Sequence, residues 1–151
     1  MSEKDLGAME FEVGGSDIAV IGMSCRLPGA ENYMQFWQNL LEGKEALTPL
    51  SDDALRDAGV PEHELSNPNY VKAAMLLRDM ECFDAGFFGF SPQDARIMDP
   101  QHRHFLECAW EAFEDAGYVP DEIEGAVGVY AGAGYGSYLS KNILSNPELV
   151  K

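Results

Sequence analysis

Four apolar residues in a row, Ile18-Ala19-Val20-Ile21, pass without a polar interruption and stop at Gly22. A strand that alternates polar and apolar residues can leave one face in water, whereas a continuous, mostly β-branched run needs cover on both faces. The run therefore predicts a buried strand in a layered α/β sheet. Val127-Gly128-Val129-Tyr130-Ala131 is a second segment of the same kind, and the chain between the two supplies helices.

The first predicted helix carries Tyr33, Phe36, Trp37, Leu40 and Leu41 at helical spacing, with Asn32 as its cap and Gly43 as its stop. Residues 44 to 69 hold Pro49, Pro61 and Pro68 among short polar runs, which predicts a long surface excursion with one short helix from Asp52 to Ala58, ended by Gly59. Tyr70 to Leu77 reads either as a strand or as an irregular apolar segment. Asp99 followed by Pro100 starts a helix well, because proline at the first helical position loses no hydrogen bond and the Asp carboxylate accepts from free amides. That helix is expected to run to about Asp115. Phe105, Ala109, Ala112, Phe113 and Ala116 share one face and Glu107, Glu111 and Glu114 another, and Gly117 and Pro120 end the helix. Trp110 widens the apolar side, which predicts deep packing. The glycines at 132, 134 and 136 then turn the chain toward a helix over Tyr138–Leu144. Residues 1–16, polar, acidic and ending in Gly14-Gly15-Ser16, read as a flexible lead-in.

Against 10 Lys and Arg stand 26 Asp and Glu, a net charge of −16 that argues against nucleic acid or an anionic membrane as a partner. Cys25, Cys82 and Cys108 are odd in number and widely spaced, and no basic segment leads into an apolar leader. Neither a disulfide framework nor secretion is indicated, and a reducing cytoplasm is expected. No apolar run approaches the roughly 20 residues that span a bilayer.

Candidate sites compete with plainer roles. Gly132, Gly134 and Gly136 sit where a phosphate-binding loop would, but the spacing is not G-x-G-x-x-G, so close backbone packing at a strand end is the expected use. His104 and Cys108, four apart, share a helical face and suggest a metal; His102 points off that face and no fourth ligand follows, so no metal site is assigned. Cys108, amid apolar and acidic neighbours, reads as a core thiol in surroundings that disfavour a thiolate. Cys25 follows the first strand at its carboxyl end, a place α/β proteins use for active residues, without the context of a nucleophile elbow. Arg96, His102, Arg103 and His104 form the one basic concentration, a candidate contact for an anionic group or a carrier protein, against intramolecular ion pairs as the plainer reading.

Two blocks carry a family resemblance. "DIAVIGMSCRLPGAENYMQFWQNLLEGKEAL" resembles the amino-terminal signature of β-ketoacyl synthases of modular polyketide synthases, with its G-M-x-C-R-x-P-G-A turn and F-W helix. "FDAGFFGFSPQDARIMDPQHRHFLECAWEAFEDAGYVP" resembles that family's F-D-A-x-F-F-G-x-S-P block and the helix after M-D-P-Q, and "GVYAGAGYGSYL" its following strand and turn. Asp94 stands where the family usually has Glu. The stretch "TPLSDDALRDAGV" lacks a common Arg-Trp element and looks more like variants from hybrid or atypical assembly lines, which leaves subtype and substrate open.

The resemblance implies a partial thiolase-like layered fold over residues 17–151, homodimeric in the parent enzyme. It also implies decarboxylative Claisen condensation of acyl and malonyl-type thioesters, of the kind used in polyketide and fatty acid biosynthesis. The partner would be an acyl carrier protein bearing phosphopantetheine, with no cofactor bound directly. Such chemistry needs an activated thiolate and charge-stabilising groups in one pocket. The A-C-S-S nucleophile context and the H-G-T-G-T and N-x-G-H histidine motifs are absent from the sequence. His63, His102, His104 and Cys25 fall in other parts of the pattern, so no catalytic residue is assigned. The expectation is an inactive amino-terminal portion that ends before the catalytic cysteine and completes its fold with the remainder of the ketosynthase domain. A catalytically empty module kept for carrier-protein binding is the alternative.

Overall fold

A helix of seventeen residues, α5 (Pro100–Ala116), organises the fold. Its start follows from local chemistry: the Asp99 carboxylate accepts from the Gln101 amide at 2.9 Å, and Pro100 occupies the first turn, where its missing N–H costs nothing. It ends because Gly117 takes φ 72°, a left-handed conformation that lets the Tyr118 amide reach the Phe113 carbonyl at 3.0 Å. The computed structural model describes residues 14–134 and 136–149. Most of the expected lead-in, residues 1–13, lies outside them; Gly14 and Asp17 form a turn closed by a 2.7 Å bond from the Gly14 amide to the Asp17 carboxylate.

Ahead of α5 come α1 (Tyr33–Leu41), α2 (Asp52–Asp57), α3 (Glu62–Leu65) and α4 (Pro92–Ile97). The expected first helix is present with its cap, Asn32 accepting from the Gln35 amide at 2.9 Å. Two helices, α3 and α4, were not anticipated. Ser91 opens α4 by accepting from the Asp94 amide at 3.1 Å while its hydroxyl donates to the Asp94 carboxylate at 2.6 Å; Ser-Pro-x-Asp was the legible signal. The segment over 44–69 is more ordered than the surface excursion expected of it. Strands β1 (Thr48–Pro49) and β2 (Ala73–Ala74) pair antiparallel across it, Thr48 opposite Ala74. The β2 pair is the part of Tyr70–Leu77 that forms a strand. Between the strands α2 and α3 bury Leu55 and Leu65, and the Lys72 ammonium bridges to Asp52 at 2.6 Å. Leu55 and Leu65 therefore make a small core of their own.

The two apolar runs depart from expectation. Residues 18–21 and 127–131 adopt no strand and have no ladder partner among the described residues; Ile18 is 94% exposed and Tyr130 98%. A strand buried on both faces requires neighbours on both sides, and the described residues supply one side only. Val20, Ile21, Val127 and Val129 line one cleft with α5, as a sheet layer on a helix layer would. The deep packing expected of α5 is likewise missing: of its side chains only Arg103 is buried, and Phe105 and Trp110 remain exposed. The expected helix over Tyr138–Leu144 is a single wide turn, Leu139–Ile143, that buries Ile143.

Aromatic packing ties the turn between β2 and α4 to α5. Phe83 stacks on Phe88 with centroids 5.2 Å apart, and Phe87 meets Trp110 edge to face at 4.8 Å. Replacing the cap by Asp99→Ala should lower stability by about 1 kcal/mol, seen as a reduced urea midpoint. An unchanged midpoint would show that Asp99 does not hold the start of α5.

Candidate functional site

The most densely bonded region joins residues 22–26 to α5. Gly22 lies so close to the helix that a Cβ there would sit 2.3 Å from the Ala112 carbonyl oxygen and 2.9 Å from the Ala116 methyl. The Met23 amide donates to the Asp115 carboxylate at 2.9 Å, and Tyr33 on α1 donates to the same group at 3.2 Å. Ser24 donates to Glu111 Oε2 at 2.7 Å. Arg26 spans both Glu111 oxygens and also reaches the Glu31 carbonyl at 2.8 Å. Arg26 and Glu111 are each about one-third exposed, 31% and 34%, so water weakens the pair without removing its geometric selectivity.

Cys25 lies between Ser24 and Arg26 and is half-buried. Burial and the nearby Cys108 push its thiol above the ordinary range, the Arg26 guanidinium pulls it back, and Glu111 adds to the rise. That is the opposite of an activated nucleophile. Sequence reasoning treated Gly22 as a strand stop and missed Ser24, Arg26 and Glu111 as a cluster; their link spans 85 to 87 residues, beyond any local pattern.

The four residues of the expected basic patch do not share a surface. Arg96 and His102 are exposed. Arg103 is buried, 8% exposed, and its Nη1 donates to the Glu81 carbonyl at 3.0 Å. It pins the turn ahead of α4, so at that position the side chain turns inward rather than joining an exposed basic group. His104 is largely buried, its Nδ1 3.4 Å from Glu107 but not aligned for a hydrogen bond. His104 and Cys108 line a cleft of about 610 Å³ with Met80, Phe105 and Arg26. His102, expected to point elsewhere, reaches the same cleft. Among the described residues no group of three or more His, Cys, Asp or Glu side chains is placed to hold a metal ion.

The glycine turn also differs from expectation. Gly136 is tight, with Asp99 Oδ2 3.0 Å from where a Cβ would be, but Gly132 and Gly134 have open space around them. Close packing thus explains one of the three. A second cleft, about 550 Å³, runs along α5 between Val20, Ile21, Val127 and Val129, with Phe105 and Ala109 on its floor. Tyr118 and Tyr130 also line it, and among the described residues no Cys, Ser or His does.

With this geometry in view, comparison with known proteins is direct. The chain matches the family described as β-ketoacyl synthase, N-terminal domain, over residues 15–150. It is 51% identical over 131 residues to a component of the phenolphthiocerol/phthiocerol polyketide synthase of Mycobacterium tuberculosis, covering 87% of this chain and 9% of that protein. Polyketide synthase PksN of Bacillus subtilis is 46% identical over 121 residues, 80% of this chain and 2% of that one. Among solved structures, ketosynthase twelve of the bacillaene polyketide synthase of Bacillus amyloliquefaciens aligns with a TM-score of 0.62 at 50% identity, covering 70% of this chain and 19% of that one. The module 1 ketosynthase of the bacillaene synthase from the same species gives 0.58 at 50% identity, covering 70% and 18%. The chain belongs to the β-ketoacyl synthase family, of the polyketide synthase kind, and carries part of its thiolase-like fold. It spans about a tenth or less of the length of these polyketide synthases, and under a fifth of the ketosynthase structures.

Three outcomes follow from this seam between residues 22–26 and α5. Gly22→Ala places a methyl group against the Ala112 carbonyl, an overpacking that should cost about 1–3 kcal/mol and appear as a lowered urea midpoint. A midpoint equal to the parent's would mean the contact is not rigid. At pH 8, iodoacetamide should modify exposed Cys82 ahead of Cys25, with peptide mass spectrometry as the readout. Glu111→Gln removes one cause of the raised Cys25 pKa and frees Arg26 to lower it further, so Cys25 should then react faster. Slower or unchanged reaction contradicts the assignment of Glu111.

Proposed function

We propose that this chain supplies the amino-terminal layer of a polyketide ketosynthase domain, residues 17–151, and contributes packing rather than chemistry to its reaction. The supporting observation is the block from Phe83 to Pro120: the segment that resembles the family over its full length also forms α4, the aromatic turn and α5, to which the seam is bonded. The reaction of the whole domain would be decarboxylative condensation of acyl and malonyl-type thioesters delivered on the phosphopantetheine arm of an acyl carrier protein. The expected thiolate and histidines of such a reaction have no counterpart among Cys25, Cys82, Cys108, His63, His102 and His104. The surroundings of Cys25 push its thiol pKa up, away from an activated thiolate, and neither the A-C-S-S context nor either histidine motif occurs in the sequence. Contact with the carrier protein falls to Arg96 and His102, the two members of the basic group with exposed side chains.

The test is a pair of experiments. Incubated with an acyl-pantetheine thioester, the chain should show no acyl adduct by intact mass spectrometry; a stable adduct on Cys25 or Cys108 would overturn the non-catalytic reading. Substituted for the matching segment of a bacillaene ketosynthase, residues 17–149 should give a folded domain that forms condensation product. A folded chimera without product would place a required group in the segment replaced. For the carrier protein, Arg96→Glu in that chimera should weaken binding by calorimetric titration, and equal affinity would remove Arg96 from the contact.

A further inference from the structure

We draw no further inference here: the strongest candidate, the apolar cleft along helix α5 between the extended segments at residues 20–22 and 127–130, is an open face, and nothing in the structure shows what covers it.

Discussion

The approach of Gly22 to the carbonyl of Ala112 is the contact on which the rest of the arrangement depends. Only a residue without a Cβ can bring the backbone of residues 22–26 this near to α5. Once there, the segment runs antiparallel to the helix. The bonds give that direction: Met23 meets Asp115, while Ser24 and Arg26 meet Glu111 one turn earlier. Tyr33 then ties α1 to the same Asp115 carboxylate. A displacement of the segment by one residue would turn Ser24 and Arg26 away from Glu111, so the register is specified by charge and hydroxyl positions as well as by the missing side chain.

The helices were legible in the sequence because their determinants are local. Asn32, Asp99, Gly43 and Gly117 each act within a few residues of themselves, and the i, i+3, i+4 spacing in α1 and α5 is complete within each helix. What the sequence could not supply is any outcome that depends on a distant partner. Ile18 to Ile21 and Val127 to Ala131 have strand chemistry, but a strand is a pairing, and its hydrogen bonds have to be found elsewhere in the chain. Arg103 shows the same limit from the other side. Charged residues sit at the surface by default, and nothing near Arg103 in the sequence indicates that its guanidinium turns inward to the Glu81 carbonyl. The candidate site was legible in its family blocks and illegible in its contacts, since Arg26 and Glu111 lie in two different blocks.

At Cys25, position in the chain and electrostatic surroundings point in different directions. Its position after an apolar run suggests a place where such folds put reactive groups, and the resemblance assigns it to a structural motif instead. The electrostatics agree with the resemblance: burial, Cys108 and Glu111 outweigh the one favourable charge, Arg26. Arg26 is in any case committed to Glu111 and to the Glu31 carbonyl. Glu111 offsets part of the pull of that guanidinium on the thiol without cancelling it, so the rise at Cys25 comes first from burial and then from Cys108.

The two faces of α5 have exchanged the roles that amphipathicity assigns them. Its acidic side is occupied: Glu111 holds Ser24 and Arg26, Asp115 holds Met23 and Tyr33, and Glu114 accepts from the Trp110 indole at 2.9 Å. Its apolar side, read as the core, opens on the cleft beneath Val20 and Val129. Polar bonds between the segment and the helix can close within the described residues, because each needs one partner at one place. An apolar face needs area, and burial stabilises in proportion to the surface covered. The described residues meet the first requirement and not the second: Glu111, Glu114 and Asp115 are bonded, while Val20 and Val129 stay exposed.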